Sequence, residues 1–311
     1  MVMNFGSFAS RVVATKVVAT DGTGDFIDIQ SAIDDLPAGG GCVYIKEGTY
    51  TITVPITINK DYVRIEGCGY CTVIYLADGS NCNVIEVGSA VAGVTGVLLS
   101  SFKIEGNSAG NIGTFGIDIE GALGDETTNV GIEQVWVDDV KGRGIYNRLS
   151  ENTSIRSCLV IDIIGDGIYA VNGPLLISGC TVRNCNGYGI AIPAIALMPR
   201  IIITENDVSG CDSHGIYLLF VFNTNIANNM VYNNSQVGVG FGIFLDNNAS
   251  RNIITGNQVF DDQGAVTQNA GIRIDDATCD KNIINSNVVI NNTVNIVDNG
   301  TDTDIGHNIA P

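Results

Sequence analysis

A short element recurs along this chain at a nearly constant interval. The dipeptide Gly-Ile occurs with steps of 28, 23, 22, 26, 27 and 29 residues, at Gly116, Gly144, Gly167, Gly189, Gly215, Gly242 and Gly271. A second series, Ile-x-x-(Asn/Cys)-x-Val, keeps step with it and starts at Ile155, Ile177, Ile203, Ile226, Ile254 and Ile284. Units this short cannot bury a hydrophobic face alone, so they predict a solenoid in which each unit is one coil.

Stacked coils place equivalent residues about 4.8 Å apart, in columns. The isoleucine after each Gly is predicted to form one internal column of parallel strands. The fourth residue of the second series predicts a corner column of Cys158, Cys180, Asn206, Asn229, Asn257 and Asn287. Asparagine suits a corner because it tolerates left-handed backbone and can hydrogen-bond its neighbours above and below. We therefore predict an asparagine ladder that two cysteines continue.

The two ends of the chain differ from the middle. Residues from about Asp28 to Leu36 have a helical apolar pattern followed by a Pro-Ala-Gly-Gly-Gly stop, which predicts a helix that caps the open end of the core. The predicted fold is all-β: a single-domain parallel β-helix over residues 1–311. It has an N-terminal segment and capping helix over about 1–40, coils over 41–300 and a polar C-terminal tail over 301–311.

Charge and cysteine content restrict the partners. The net charge of −18 argues against nucleic acid or an anionic membrane, because such a surface repels phosphate. An acidic ligand would require a mediating cation, either Ca²⁺ or a local Arg/Lys cluster.

The nine cysteines lack the spacing of a zinc site, and Cys185 and Cys211 share a column that suits either a disulfide or stacked thiols. Neither a signal-peptide core nor a bilayer-spanning run is visible.

The opening VVATDGTGDFIDIQSAIDDLPAGGGCVYIKEGTY, then IEGCGYCTVIYL and the ITGNQV-type coils, resemble right-handed parallel β-helix proteins of the pectin-lyase-like superfamily. The resemblance covers nearly the whole chain. The first segment is similar to the start of pectin methylesterases, of pectate-lyase-3-type proteins and of phage tailspikes. The later esterase signatures QDT, DFIFG and LGRPW are absent, which argues against an esterase.

Two further families resemble the middle of the chain. Mannuronan C5-epimerases carry GYGF-DPHE and DRHGF, against GRGIYNRL at 142–149 and DSHGI at 212–216 here; the DPHE residues are missing and the histidine lies one coil out of step. Polygalacturonases carry GHG and RIK, which resemble Ser213-His214-Gly215 and Arg273-Ile274-Asp275. Their NTD and paired-aspartate motifs are absent, so the acid/base pair for hydrolysis is not visible.

Side chains alternate along a strand, so the residue after each isoleucine points outward. The first outward column is Asp118, Tyr146, Tyr169, Ala191, Tyr217, Phe244 and Arg273, and the second is Glu120, Arg148, Val171, Pro193, Leu219, Asp246 and Asp275. The aromatic residues are interpreted either as a stack that stabilises the sheet or as a sugar-stacking groove. Asp166 and His214 lie just before their strands, so acid, base and cation are expected to converge over the middle coils.

This set suits removal of the C5 proton of a uronate, with its carboxylate neutralised by Arg or Ca²⁺. After the C5 proton is removed, elimination of the leaving group would make the protein a lyase. Return of a proton to C5 from the opposite face would make it an epimerase. The candidate catalytic residues are His214, Tyr217, Tyr169, Asp166, Arg148 and Tyr146; Phe244, Arg273 and Asp246 are candidates for substrate binding, and Asp118 and Glu120 for Ca²⁺. His214 is either the general base, titrating near neutral pH, or a turn residue.

The predicted function is therefore that of a lyase or C5-epimerase on an acidic polysaccharide. The alternatives are a non-catalytic glycan-binding protein of tailspike or adhesin type, and third a polygalacturonase-type hydrolase. We expect a monomer or trimer that is extracellular or virion-associated, without an organic cofactor.

Overall fold

The computed structural model describes residues 15–311, without the side chains of 195–199. Residues 1–14 of the predicted N-terminal segment, where a signal peptide was sought, lie outside the described residues. The chain divides into two compact units, Met1–Leu159 and Val160–Pro311. The single-domain assignment stays a prediction, and each unit is described by itself. Within residues 15–311 no helix has the length and apolar character that crossing a membrane requires.

The first unit consists of coils with three faces, numbered in the order in which the chain passes them. Face 1 contains Thr15–Val18, Gly41–Ile45, Val63–Gly67, Leu98–Ser100, Gly131–Glu133 and Thr153–Arg156. Face 2 contains Gly48–Ile52, Thr72–Leu76, Lys103–Glu105 and Trp136–Asp138. Face 3 contains Ile56–Ile58, Ile85–Val87, Ile117–Ile119 and Ile145–Asn147. Thr127–Thr128 and Ser150–Glu151 form a short additional pair.

The second unit repeats the three faces. Face 2 contains Thr181–Cys185, Asp207–Ser209, Met230–Tyr232, Gln258–Phe260 and Val288–Ile290, preceded by Leu159–Ile163 at the boundary of the units. Face 3 contains Ile168–Ala170, Ile190–Pro199, Ile216–Phe222, Gly240–Asp246, Gln268–Ile274 and Val294–Asp298. Face 1 contains Leu175–Ser178, Ile201–Thr204, Asn225–Ala227, Ile253–Thr255, Ile283–Asn285 and Asp304–Gly306.

The internal isoleucine column is confirmed in each unit. In the first unit Ile56, Ile85, Ile117 and Ile145 are successive parallel partners. In the second unit the partners are Ile168, Ile190, Ile216, Ile243 and Ile272. The described members of the Gly-Ile series are fully buried. Ile56 and Ile85 extend the column beyond that series because Pro55 and Val84 precede them instead of glycine.

Close approach of two coils requires the glycine in six of the seven Gly-Ile pairs, at Gly116, Gly167, Gly189, Gly215, Gly242 and Gly271. A Cβ built on Gly242 would lie 2.4 Å from Val259 Cγ1 and 2.6 Å from the Gly271 carbonyl oxygen. Gly189, Gly215 and Gly271 meet the equivalent valine and the backbone of the next coil in the same way. The repeat is therefore visible in the sequence because this position has no room for a side chain in the coils that carry a Gly-Ile pair.

Gly242→Ala is expected to destabilise the protein by about 3 kcal/mol, since overpacking against a backbone carbonyl cannot be relieved by a rotamer change. Gly264→Ala is the matched control, because a Cβ there meets nothing within 4 Å, and we expect it to change stability by no more than about 0.5 kcal/mol. Urea unfolding of both variants makes the comparison. Equal stability of the two variants would contradict this account of the repeat.

The corner column has the predicted residues but a different local geometry. The left-handed residue is the one before each column member, namely Ser157, Gly179, Glu205, Asn228, Gly256 and Ser286. Tolerance of left-handed backbone is therefore the wrong reason for asparagine here. Asn206, Asn229, Asn257 and Asn287 are at most 1% exposed, so their amides point inward and must find partners.

Each buried amide links its coil to both neighbours. Asn229 Nδ2 donates to the Ile203 carbonyl and to Asn257 Oδ1, both at 2.9 Å. Asn229 Oδ1 accepts from the Asn206 backbone N–H at 3.0 Å and from Asn206 Nδ2 at 2.9 Å. Asn257 and Asn287 continue the same pattern to Asn308.

The ends of the chain differ in part from the expectation. Residues 301–311, predicted as a tail, contain the strand Asp304–Gly306, which pairs with Ile283–Asn285. Ile305-Gly306-His307-Asn308 repeats the corner motif, but this coil lacks a Gly-Ile pair, and so it was missed. A helix occupies Ile29–Asp34 with Asp28 as its N-cap, and Ile29, Ala32 and Ile33 are buried. Its role as a cap for the core stays a prediction.

Candidate functional site

Face 3 of the first unit carries the predicted metal ligands next to an arginine. Asp118 pairs with Glu86 on one side and with Tyr146 on the other in the parallel register. Arg148 Nε donates to Asp118 Oδ1 at 3.0 Å, Nη2 contacts Asp118 Oδ2, and Nη1 lies 2.9 Å from Glu120 Oε1. The hydrogen bond to Asp118 is the main reason that the pKa of Arg148 is raised.

This ion-pair network places a guanidinium where Ca²⁺ was expected. Asp118 is only 3% exposed and also accepts from Asn83 Nδ2 at 3.1 Å. In the described part of the chain no group of three or more His, Cys, Asp or Glu residues is arranged to hold a metal ion. Arg148 is itself neutralised by Asp118 and Glu120, so it offers little net positive charge to an acidic ligand.

Tyr146 lies in the same network. The guanidinium carbons of Arg143 and Arg148 lie 4.4 and 5.1 Å from its ring centroid, and Phe115 packs edge-on at 5.2 Å. These contacts hold the ring in a cation–π arrangement. Tyr146 and Arg148 belong to the first unit, and their predicted convergence with His214 stays a prediction.

Face 3 of the second unit carries a cluster of aromatic rings. The register confirms the outward column Tyr169, Ala191, Tyr217, Phe244 and Arg273. Tyr188 stacks on Tyr217 with centroids 4.9 Å apart, and Tyr217 stacks on Phe244 at 5.6 Å. His214 stacks on Phe241 at 5.0 Å with an interplanar angle of 4°.

The rings cover one another, which contradicts a direct sugar-stacking role for Phe244. Its side chain is only 8% exposed, like those of Phe241 and His214. Because the ring faces are occupied by neighbouring rings, the cluster fits the alternative of a stack that stabilises the sheet. Tyr188 and Phe241 were missed, although each directly precedes the Gly of a Gly-Ile pair, as His214 does.

His214 is a buried, neutral member of this cluster. Its Nδ1 accepts a hydrogen bond from the Phe241 backbone N–H at 3.0 Å. Nδ1 is therefore unprotonated and the ring proton lies on Nε2, so the basic nitrogen is already in use. Burial, and secondarily Arg273, lower the pKa of His214 to about 4. The predicted titration near neutral pH is wrong in this environment, and the geometry does not support a general base.

The lowered pKa predicts a specific loss of stability in acid. An unfolded histidine titrates near pKa 6.5, so His214 stabilises the fold fully above that pH, and this contribution is lost as pH falls toward 4. Between pH 7 and about pH 4.5, wild-type protein should lose about 2 kcal/mol more unfolding free energy than His214→Asn. Asparagine keeps an acceptor for Phe241 but does not titrate.

Urea unfolding at the two pH values measures this difference. Any contribution of the exposed His307 is the same in both proteins and drops out of the comparison. Parallel pH profiles for wild type and variant would contradict a buried neutral His214.

Tyr217 and Asp246 form a pair at the outward side of the cluster. The Tyr217 hydroxyl donates to Asp246 Oδ2 at 2.9 Å. Burial is the main cause that raises the pKa of Tyr217, and the hydrogen bond to Asp246 adds to it. The phenol therefore keeps its proton at neutral pH, and Asp246 is the proton-accepting member of the pair. Asp246 also accepts from the Asn247 backbone and side chain at 2.9 and 2.8 Å.

Arg273 and Asp166 complete the predicted residues of this unit. Arg273 Nε and Nη2 donate to Asp275 Oδ1 at 3.1 and 2.8 Å, and the guanidinium lies 5.0 Å from the Phe241 ring centroid. Asp166 accepts from the Tyr188 backbone N–H at 3.0 Å, so it positions the chain that carries Tyr188. Cys185 and Cys211 are free thiols in the structure.

A family model described as right handed beta helix region matches residues 38–194 and 143–310. Among curated proteins, "Probable pectinesterase 67" of Arabidopsis thaliana is 31% identical over 106 residues, which is 33% of this chain and 26% of that protein. This chain thus spans about a quarter of that relative, and the match to its sequence is partial.

Two solved structures illustrate the similarity in fold. ORF18 of Geobacillus virus E2 has a TM-score of 0.66 at 18% identity, covering 89% of this chain and 57% of that one. The A-module of mannuronan C-5 epimerase AlgE4 from Azotobacter vinelandii has a TM-score of 0.55 at 17% identity, covering 91% and 94%. At these identities the similarity concerns the fold alone.

Proposed function

Because the chain belongs to the right-handed β-helix family, on whose fold a mannuronan epimerase module is built, we propose that it acts on a polysaccharide along face 3 of its second unit. The observation that carries this proposal is the hydrogen bond between Tyr217 and Asp246. It joins a protonated phenol to a carboxylate at the outward side of the face, which is a ready proton donor beside a proton acceptor.

The reaction that this pair fits best is β-elimination from a uronate. Asp246 accepts the proton of C5, and Tyr217 donates its hydroxyl proton to the O4 leaving oxygen. The C4–O4 bond breaks as the double bond between C4 and C5 forms. The proton on Asp246 then returns to the Tyr217 phenolate across their hydrogen bond, which restores both groups.

The same geometry favours a lyase over an epimerase. Tyr217 and Asp246 touch each other, so they approach the sugar from one side. Epimerisation requires a proton to be removed from one face and delivered to the opposite face. Elimination allows acid and base to act from the same face, so the proposed activity is that of a polysaccharide lyase.

The uronate carboxylate requires a positive partner, and Arg273 is the candidate because it is paired with one carboxylate, whereas Arg148 is paired with two. Its contacts with Asp275 use Nε and Nη2. Among the described residues no hydrogen bond to Nη1 is seen, so we assign Nη1 to the ligand. A hydrogen bond from Nη1 would stabilise the charge that develops on the carboxylate during proton removal. A requirement for Ca²⁺ stays a prediction, and adding a chelator to the assay tests it.

Glycoside hydrolysis is the second candidate, favoured by the position of Asp275. Asp246 and Asp275 follow the registered pair Leu245 and Ile274, so two carboxylates occupy equivalent positions in adjacent coils. Neighbouring strands lie about 4.8 Å apart, so the two carboxylates are close enough for us to compare them with the pair, about 5–5.5 Å apart, of a retaining glycosidase. This pair is what supports the hydrolase as the second candidate.

Product analysis separates the candidates. The protein is incubated with alginate, polygalacturonate and neutral polysaccharides. Ultraviolet absorbance of unsaturated ends indicates a lyase, new reducing ends without that absorbance indicate a hydrolase, and altered proton NMR of an intact polymer indicates an epimerase. Binding without any product would favour the glycan-binding alternative of tailspike or adhesin type. The proposal also includes a polysaccharide as the partner. It further includes an extracellular or virion-associated location and a monomeric or trimeric state.

A further inference from the structure

Face 2 of the second unit contains a cleft that the proposed reaction does not use. Its volume is about 280 Å³, slightly below the range of about 300–1,000 Å³ that is typical of sites for drug-sized ligands. It is lined by Asn184, Ser209, Gly210, Tyr232, Asn233, Gln236 and Gln263. The lining contains amides, a hydroxyl and an aromatic ring but no charged side chain.

A small residue in a column of larger ones creates the cleft. The outward column of face 2 runs Arg183, Ser209, Tyr232, Phe260 and Ile290 in the parallel register. Tyr232 stacks on Phe260 with centroids 5.0 Å apart and an angle of 7°, so Phe260 covers one face of the ring. The opposite face looks toward the coil of Ser209, whose short side chain leaves a gap one coil wide.

Two asparagines that line the cleft are hydrogen-bonded to aspartates that do not line it. Asn184 Nδ2 donates to Asp162 Oδ1 at 2.9 Å, and Asn233 Nδ2 donates to Asp262 Oδ1 at 2.7 Å. A Cβ on Gly210, whose φ is +66°, would lie 2.8 Å from Asn184 Oδ1. Glycine at this position therefore lets the chain pass close to the side chain of Asn184.

We propose that this cleft binds one uncharged sugar unit, with the sugar ring stacked on the open face of Tyr232 and its hydroxyls bonded to the amides of Asn184, Gln236 and Gln263. Gln236 Nε2 already donates to the Asn233 carbonyl and Gln263 Nε2 to Thr267 Oγ1, so we assign their amide oxygens as acceptors for sugar hydroxyls. An aromatic ring with a polar rim suits the apolar face of a pyranose.

The nearby Asp162 and Asp262 disfavour an anionic sugar, and Arg183, which precedes Ser209 in this column, is itself paired with Asp207. The site is separate from the Tyr217–Asp246 pair and would anchor a glycan whether or not the protein cleaves it.

Ligand-observed NMR with maltotetraose, cellotetraose, mannotetraose and a galacturonate tetramer tests the proposal. At least one neutral tetramer is expected to bind with Kd on the order of 1 mM, and the galacturonate tetramer at least tenfold more weakly at this site. Ser209→Phe fills the gap while extending the ring stack, and Tyr232→Ala removes the stacking face. Both should weaken binding at least tenfold, whereas Ile290→Ala, at the same outward position two coils beyond Tyr232, should leave Kd within twofold.

This binding test does not depend on whether the protein has the proposed lyase activity. Asp246→Asn should bind the neutral tetramer like wild type, so a failed activity assay leaves this test intact. Unchanged binding in folded Ser209→Phe, binding of none of the neutral tetramers, or preference of this site for galacturonate would each overturn the proposal.

Discussion

Asn229→Leu is expected to lower the unfolding free energy by about 3–6 kcal/mol, a large share of the roughly 5–15 kcal/mol that stabilises a typical protein. The side chain of Asn229 is buried and makes hydrogen bonds to Asn206, Ile203 and Asn257. Leucine removes all of them at once, and each buried group left without a partner costs about 1–3 kcal/mol. Asn206 Nδ2 keeps its bond to the Ile177 carbonyl and Asn257 Oδ1 keeps the Asn229 backbone N–H, so the cost falls mainly on the Asn206 N–H and the Ile203 carbonyl. The corresponding fall in Tm is on the order of 10 °C.

Asn225→Leu is the matched control for this change. Asn225 lies four residues earlier, in Asn225–Ala227, but its side chain is exposed on the outside of face 1. The same substitution there should change stability by no more than about 0.5 kcal/mol. Urea and thermal unfolding of both variants provide the measurement. A loss below 1 kcal/mol for Asn229→Leu would show that the buried amides are not what joins these coils.

Asp246→Asn and Tyr217→Phe are each expected to lower turnover by about two to four orders of magnitude, the usual contribution of a general acid or base. Asparagine still accepts the Tyr217 hydrogen bond but cannot take the C5 proton. Phenylalanine keeps the ring stack with Tyr188 and Phe244 but has no proton to donate. The rate of appearance of unsaturated ends, on the polymer found active in the product assay, is the measurement.

Two controls address the same cluster without touching the proposed chemistry. Tyr188→Phe removes a hydroxyl from the ring stacked directly on Tyr217, and His214→Asn removes the buried histidine. Both should keep turnover within about threefold at a temperature where the variants are folded, because neither group donates or accepts a proton in the reaction proposed here. Loss of activity in His214→Asn alone, with Asp246→Asn fully active, would return the role of base to His214.

The architecture of each unit could be predicted because its signal is repeated in most coils. Ile145, Ile190 and Ile243 are buried as expected, since one inward position per coil must be apolar and the parallel register carries it from coil to coil. The shared column of Asn206 and Asn229 was predicted for the same reason, although the left-handed residue proved to be the preceding one. Asn308 was missed because only half of its coil's motif is present.

The candidate site was only partly predictable. Tyr217 and Asp246 were both chosen, but their contact joins residues 29 positions apart and depends on how adjacent coils stagger their side chains. Phe244 was expected to face a sugar and instead faces other rings. Asp118 and Glu120 were expected to hold Ca²⁺, and Arg148 occupies the position between them.

The sequence by itself determined the coil length, the parallel columns and the alternation of inward and outward residues in the Gly-Ile strands, because these follow from a local periodicity and from glycines that have no room for a Cβ. Only the tertiary structure decided the chemical state of the outward residues. Burial under Phe241 and Tyr188 makes His214 neutral, pairing with two carboxylates neutralises Arg148, and the short Ser209 opens a cleft beside Tyr232. Each of these depends on which side chain the neighbouring coil places beside the residue. The loops between coils vary in length, so this neighbour cannot be read from the adjacent sequence.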